Sequence, residues 1–155
     1  MSAQQKSNSD FVISFGSCNK QYKQNLLWKE ISKNNPDVWV WGGDVVYADT
    51  DNMPKLQKIY NQQSGQKEYQ DFIQSVTVLG TWDDHDYGAN DGGKDFYKKK
   101  ESQQLFLDFI GVSKNDSRRN RAGVYHSQLF KTDKGSVKII VLDTRYFRSG
   151  LTASE

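Results

Sequence analysis

Cysteine is almost missing from this 155-residue chain, and Cys18 is its single example. One thiol can form neither an intrachain disulfide nor a cysteine zinc cluster, so cysteine usage leaves the redox compartment open. Long apolar runs are missing too. No stretch approaches the roughly 20 apolar residues of a membrane span. The polar opening, Met1-Ser2-Ala3-Gln4-Gln5-Lys6, leads into no apolar segment of the kind a secretory signal contains. Charge of one sign is scarce: 21 basic against 19 acidic side chains leave a formal net charge of +2. Charge alone therefore argues for neither nucleic acid nor a membrane surface as partner. What the chain does hold is aromatic side chains, 13% of residues within a hydrophobic share of 35%. That is too many for a disordered chain and enough for the core of one ordinary domain.

Residues 1–10 are polar and predicted as a loose tail, leaving residues 11–155 as the domain. Phe11-Val12-Ile13-Ser14-Phe15 reads as a buried strand ended by Gly16-Ser17. Leu26, Leu27, Glu30 and Ile31 follow at helical spacing, and Asn34-Asn35-Pro36 closes that helix. Asp37-Val38-Trp39-Val40-Trp41 is a second strand, stopping at Gly42-Gly43-Asp44. Helical stretches are expected over 54–62 and 68–72, a third strand over 75–81 and an amphipathic helix over 96–109. Two last strands, 124–130 and 137–142, flank the turn-like Asp133-Lys134-Gly135. Strands alternating with helices imply an α/β fold with a mainly parallel sheet, whose ligands sit at the carboxyl ends of the strands.

Those carboxyl ends carry the polar residues. The first strand ends in Gly16-Ser17-Cys18-Asn19, the second in Gly43-Asp44 followed by Tyr47 and Asp49, the third in Asp83-Asp84-His85-Asp86. Taken singly, Cys18 reads as a small buried hydrophobe, Asp44 as a helix cap and Tyr47 as a core residue. The Asp83–Asp86 block resists such a reading, because three carboxylates around one imidazole repel unless solvated, paired or bound to a cation. Three strands delivering such groups to one sheet edge point to a metal site. A thiolate and a phenolate suit a highly charged iron, whereas carboxylate oxygens suit a hard cation such as calcium or magnesium. An aspartate between two such ions could bridge them, an arrangement used to displace groups from phosphorus.

Phe15-Gly16-Ser17-Cys18, Gly43-Asp44-Val45-Val46-Tyr47-Ala48-Asp49, Thr81-Trp82-Asp83-Asp84-His85-Asp86-Tyr87 and Leu142-Asp143-Thr144-Arg145 resemble, in order, the motifs of PhoD-like (alkaline phosphatase D) phosphatases. The resemblance implies a metallophosphoesterase-type α-β-β-α sandwich, only part of which this chain would hold. It implies ferric iron with calcium, and hydrolysis of small phosphodiesters and phosphomonoesters in a secreted or periplasmic setting. Cys18 and Tyr47 would hold the iron, Asp44 would bridge both metals, and Asp84 would hold the second metal. His85 falls at the superfamily's catalytic histidine, donating to a phosphoryl or leaving oxygen. Asn19, Asp49 and Asp83 are candidates for metal or supporting contacts. Arg145 is left to a phosphate oxygen or to a structural carboxylate. The implied reaction is in-line attack on phosphorus by a metal-activated water. The family's downstream Gly-Asp-x-His block does not occur among these residues. The chain is therefore expected to be an N-terminal, truncated part of such a domain, with an inactive metal-binding relict as the alternative.

Other signals carry less. Gly88-Ala89-Asn90-Asp91-Gly92-Gly93-Lys94 starts like a P-loop, but Asp95 replaces the hydroxyl residue, so a mobile loop near the metal site is expected. Asp49-Thr50-Asp51-Asn52 opens like an EF-hand loop but places Pro54 at the glycine position. His126 lies in an alternating run and is read as structural. Lys98-Lys99-Lys100 and Arg118-Arg119-Asn120-Arg121 make a nucleic-acid-binding module the weakest alternative.

Overall fold

Tryptophans alternate with valines in Val38-Trp39-Val40-Trp41, and this alternation organises the molecule. Successive strand residues face opposite sides of a sheet, so the two indoles share one face and the two valines the other. The computed structural model describes residues 10–151. The tail expected over 1–10 lies, apart from Asp10, outside the described residues. The elements run β1 (Ile13–Gly16), α1 (Leu27–Ser32), β2 (Val38–Gly42), α2 (Met53–Ser64), α3 (Lys67–Ile73), β3 (Thr77–Thr81), α4 (Asp84–Tyr87), α5 (Lys99–Phe109), β4 (His126–Thr132) and β5 (Gly135–Val141), with a 3-10 turn at Ser117–Arg119.

β1, β2 and β3 form a parallel sheet in that order, with Ile13 opposite Val38 and Val38 opposite Thr77. β4 and β5 form an antiparallel hairpin. The α/β alternation expected from the sequence is present. On the indole face one buried cluster joins Trp39 and Trp41 to Trp28 of α1, Leu56 and Tyr60 of α2, Tyr69 and Phe72 of α3, and Phe106 of α5. Trp28 meets Trp39 edge-on at 5.3 Å and Trp41 at 5.6 Å. Such aromatic pairs add about 0.5–1.5 kcal/mol each beyond the burial of their area. Gly80 makes the fit possible: a Cβ there would stand 2.7 Å from the Cβ of Trp41. On the opposite face Val38 and Leu79 pack with Val141, and Val40, Phe130 and Ile139 lie against them, so the hairpin covers the valine side.

Local chemistry places the helix ends. Asn52 caps α2 by accepting from the Lys55 N–H at 3.0 Å, and Pro54 occupies the first turn, where its missing N–H costs nothing. α5 starts three residues later than its apolar spacing suggests, at Lys99, although Phe96 is buried as expected.

Two expectations change. The run from Phe11 to Phe15 was read as a buried strand, but β1 lies at the sheet edge and its residues alternate in burial. Ile13 is exposed and Phe15 is 80% exposed. Apolar content alone does not tell a strand buried on both faces from one whose outer face has no cover. The Asp84–Tyr87 turn, read only as a strand end, is a short helix. Among the described residues no helix is long and apolar enough to cross a membrane.

Candidate metal centre

Three loops leave the carboxyl ends of β1, β2 and β3 and are stitched together by backbone bonds. The Cys18 N–H donates to the Gly43 carbonyl at 3.3 Å and the Asn19 N–H to the Asp44 carbonyl at 2.8 Å. The N–H groups of Ala48 and Asp49 both donate to the His85 carbonyl, at 3.0 and 3.2 Å. Gly43 is required for the close approach of the second and third loops. Its φ is +105°, and a Cβ there would stand 2.7 Å from the Cβ of Asp83. Cys18, Asp44 and Asp49 hold left-handed φ values of 57°, 50° and 41°. Such conformations cost about 1–3 kcal/mol each outside glycine and gather at ligand sites. Three in one pocket of loops mark it as more than a connection.

The side chains converge within this frame. One ligand atom each from Asp44, Asp84 and His85 lies within 4.8 Å of the others. The Cys18 thiol donates to Asp44 Oδ2 at 3.6 Å, and the Tyr47 hydroxyl donates to the same oxygen at 3.4 Å. The Tyr47 ring lies over the imidazole of His85, with centroids 4.3 Å apart. Asp44 Oδ1 is buried without any hydrogen-bond partner. A buried carboxylate oxygen in that condition is costly, and a cation is one partner that would satisfy it.

Electrostatics tell the same story. Burial, helped by Asp83 and Asp84, raises the Asp44 carboxyl above its usual range even though His85 opposes it. Burial raises the Tyr47 phenol as well, reinforced by Cys18 and Asp44. For His85, burial pulls downward but the bond and charge of Asp49 outweigh it, so its pKa lies above the usual 6.5. Asp84 is lowered despite burial, because backbone N–H groups and Arg145 stabilise its charge. The shifts of Asp44 and Tyr47 thus disfavour the anionic forms that a bound cation would favour.

The surrounding residues hold these in place. His85 Nδ1 meets Asp49 Oδ1 at 2.8 Å, which leaves Nε2 as the ring nitrogen available for a proton, a metal or a substrate oxygen. Arg145 bonds Asp83 through Nε and Asp84 through Nη2, the latter at 3.2 Å. Arg145 thus pairs with two carboxylates at once. The Asp91 N–H donates to Asp84 Oδ2 at 3.0 Å, and Arg148 bonds the carbonyls of Asp91 and Gly92. The loop expected to be mobile is therefore tied down at both the site and the chain's last turn. Asn19 is near but occupied elsewhere: its amide donates to the Val45 carbonyl and to Gln63 and accepts from Asn25. His126 starts β4 with Nδ1 on the Val124 carbonyl, away from the cluster, in keeping with a structural part.

Two carboxylates named within the sequence motifs carry no individual role in the sequence reading. Asp86 is fully buried and accepts two backbone N–H bonds. Asp143 accepts from Trp82 Nε1 and from the backbone N–H groups of Val124, Arg145 and Tyr146, joining the end of β3 to the end of β5. The Asp83-x-x-Asp86 spacing at a helix start was the one available signal for the first. The second makes a local turn with Arg145 and Tyr146, but its other partners, Val124 and Trp82, are 19 and 61 residues away and have no local signal.

No protein-family model matches the chain, and no curated protein matches it. A solved structure of PhoD does match in three dimensions, with a TM-score of 0.70 at 15% sequence identity. The match takes in 93% of this chain and 34% of that one, so the chain spans about a third of the structure it resembles. Over nearly all its length, this chain has the fold of a part of PhoD.

Proposed function

We propose that this chain carries part of a two-metal phosphoesterase centre of the PhoD type, acting on phosphodiesters and phosphomonoesters. The observation that supports it most is the convergence of Asp44, Asp84 and His85, with one oxygen of Asp44 left without a partner. In this reading residues 11–155 are the N-terminal part of the domain, and the parallel sheet and the hairpin are portions of the two sheets of an α-β-β-α sandwich.

The donors fit the metals that the motifs imply. Cys18 and Tyr47, both bonded to Asp44 Oδ2, are the anionic donors a ferric ion would take. Asp44 touches both of them and has a ligand atom within 4.8 Å of one from Asp84, so it could serve as a bridging carboxylate, and Asp84 offers the oxygen donor suited to calcium. When bound, such cations supply Lewis acidity toward the phosphoryl group and a water acidic enough to act near neutral pH. The chain's own residues do the rest. Asp49 holds the His85 ring and keeps it protonated above its usual range, so His85 can donate a proton to the leaving oxygen. Arg145 fixes the carboxylates of Asp83 and Asp84.

A nucleic-acid-binding role draws less support. Arg118 is paired with Asp116 at 2.9 Å and Arg119 with Asp108 at 2.8 Å, so two of the basic loop's three arginines are already paired within the chain.

The test is hydrolysis of bis(p-nitrophenyl) phosphate by the 155-residue chain with ferric iron and calcium, against a chelated control. A polypeptide extended through a Gly-Asp-x-His block is assayed in parallel. Chelator-sensitive turnover by either supports the reading, and turnover by the longer polypeptide alone makes this chain a metal-binding part of the enzyme. No turnover by either sinks it.

A further inference from the structure

Asp86 is 0% exposed, yet no role in the chemistry falls to it. Its two carboxylate oxygens are divided between two loops. Oδ1 accepts from the Asp83 N–H at 2.7 Å, and Oδ2 accepts from the Val45 N–H at 2.9 Å. Asp83 immediately precedes Asp84, and Val45 immediately follows Asp44. One rigid carboxylate therefore spans the two peptide units next to the two acidic ligands.

The position of Asp86 is itself braced. The Tyr60 hydroxyl of α2 donates to the Asp86 carbonyl at 2.9 Å, and both groups are buried. α2 is in turn anchored in the aromatic core through Leu56 and Tyr60. Burial and the nearby Asp44 disfavour charge on Asp86, while the two N–H bonds favour it. An apolar residue of similar size would leave both N–H groups without an acceptor, so the carboxylate is there for these two bonds.

We infer that Asp86 is a positioning residue: it sets the separation of Asp44 and Asp84 by holding the loops after β2 and β3 in register, and so determines the cation affinity of the site. This inference rests on the metal-centre reading given above. Groups that orient ligands in this way typically change metal affinity by roughly 10–100-fold when replaced.

Asp86→Asn keeps the shape but replaces one acceptor oxygen by an NH2 group, which cannot receive an N–H bond. Two measurements are made on the whole chain. Amide exchange reads the loop lock without any metal. Luminescence of terbium(III), a hard cation excited through nearby aromatic rings, reads affinity. We expect Asp86→Asn to exchange the Val45 and Asp83 amides about 10-fold faster relative to β2 amides and to bind terbium about 10-fold more weakly. Val38→Ala, a core change at the start of β2 and on the opposite face of the sheet, serves as the control for lost stability, and its affinity should stay at the wild-type value. If Asp86→Asn does not fold, Tyr60→Phe removes the brace while leaving the carboxylate, and it should raise exchange at the same two amides. Wild-type exchange in the folded variant, or an equal loss of affinity in Val38→Ala, overturns the inference. If the wild type binds no terbium, the metal reading fails. Unchanged exchange at Val45 and Asp83 would instead remove the loop lock.

Discussion

At the scale of single residues, Asp49 and His85 make a pair whose behaviour follows from its geometry. Their contact at 2.8 Å raises the His85 pKa above 6.5 against the pull of burial. A raised histidine stabilises the fold fully below its unfolded value and loses that contribution as pH rises through the folded one. Stability of the metal-free protein should therefore fall as pH rises above about 6.5. Asp49→Asn should flatten that fall and bring the His85 titration down, as read by urea midpoints across pH and by imidazole NMR. His85→Ala separates two roles. We expect metal content to be retained and turnover to drop by about 10²–10⁴-fold, the range for a lost general acid. Metal analysis beside the phosphodiester assay decides, and loss of metal would make His85 a ligand instead.

The elements carry these residues to one place. β2 is the central strand, and its Trp39 and Trp41 leave no spare room on the helix face. Gly80→Ala would push a methyl against the Cβ and backbone of Trp41, and overpacking of this kind costs about 1–3 kcal/mol. Urea denaturation of the variant should show a lowered midpoint with an unchanged slope. Strand and helix identities were legible in the sequence because Leu26, Leu27 and Ile31 repeat at helical spacing and Trp39 and Trp41 alternate with valines. The short α4 was not, because its first turn, Asp84-His85-Asp86, is polar and carries no apolar period.

For the molecule as a whole, the unbalanced feature is its surface. Phe15, Leu26 and Leu27 are exposed around the free edge of β1, and Leu129, Ile140 and Leu142 are exposed on or beside the hairpin. Together with Gly16 to Asn19 and the indoles, the first three line a cavity of about 490 Å³. Apolar surface of this extent favours association. Phe15→Ser should change stability by no more than about 0.5 kcal/mol while raising the concentration at which the protein stays monomeric. Light scattering across a dilution series, alongside urea unfolding, checks both halves.

The sequence by itself determined the α/β order, the strand ends that carry Cys18, Asp44 and Asp84, and the likeness to PhoD-type motifs. Each of these is written in local patterns: periodicity, glycine stops and residue types at short spacing. Only the tertiary structure decided what depends on long-range neighbours. It paired Arg145 with the carboxylates of Asp83 and Asp84, 62 and 61 residues away. It turned Asn19 away from the cluster toward Gln63, and it left one oxygen of Asp44 without a partner. Hydrogen bonds and burial between distant segments are set by how the layers pack, and a linear pattern of residue types does not encode which polar group is left facing which.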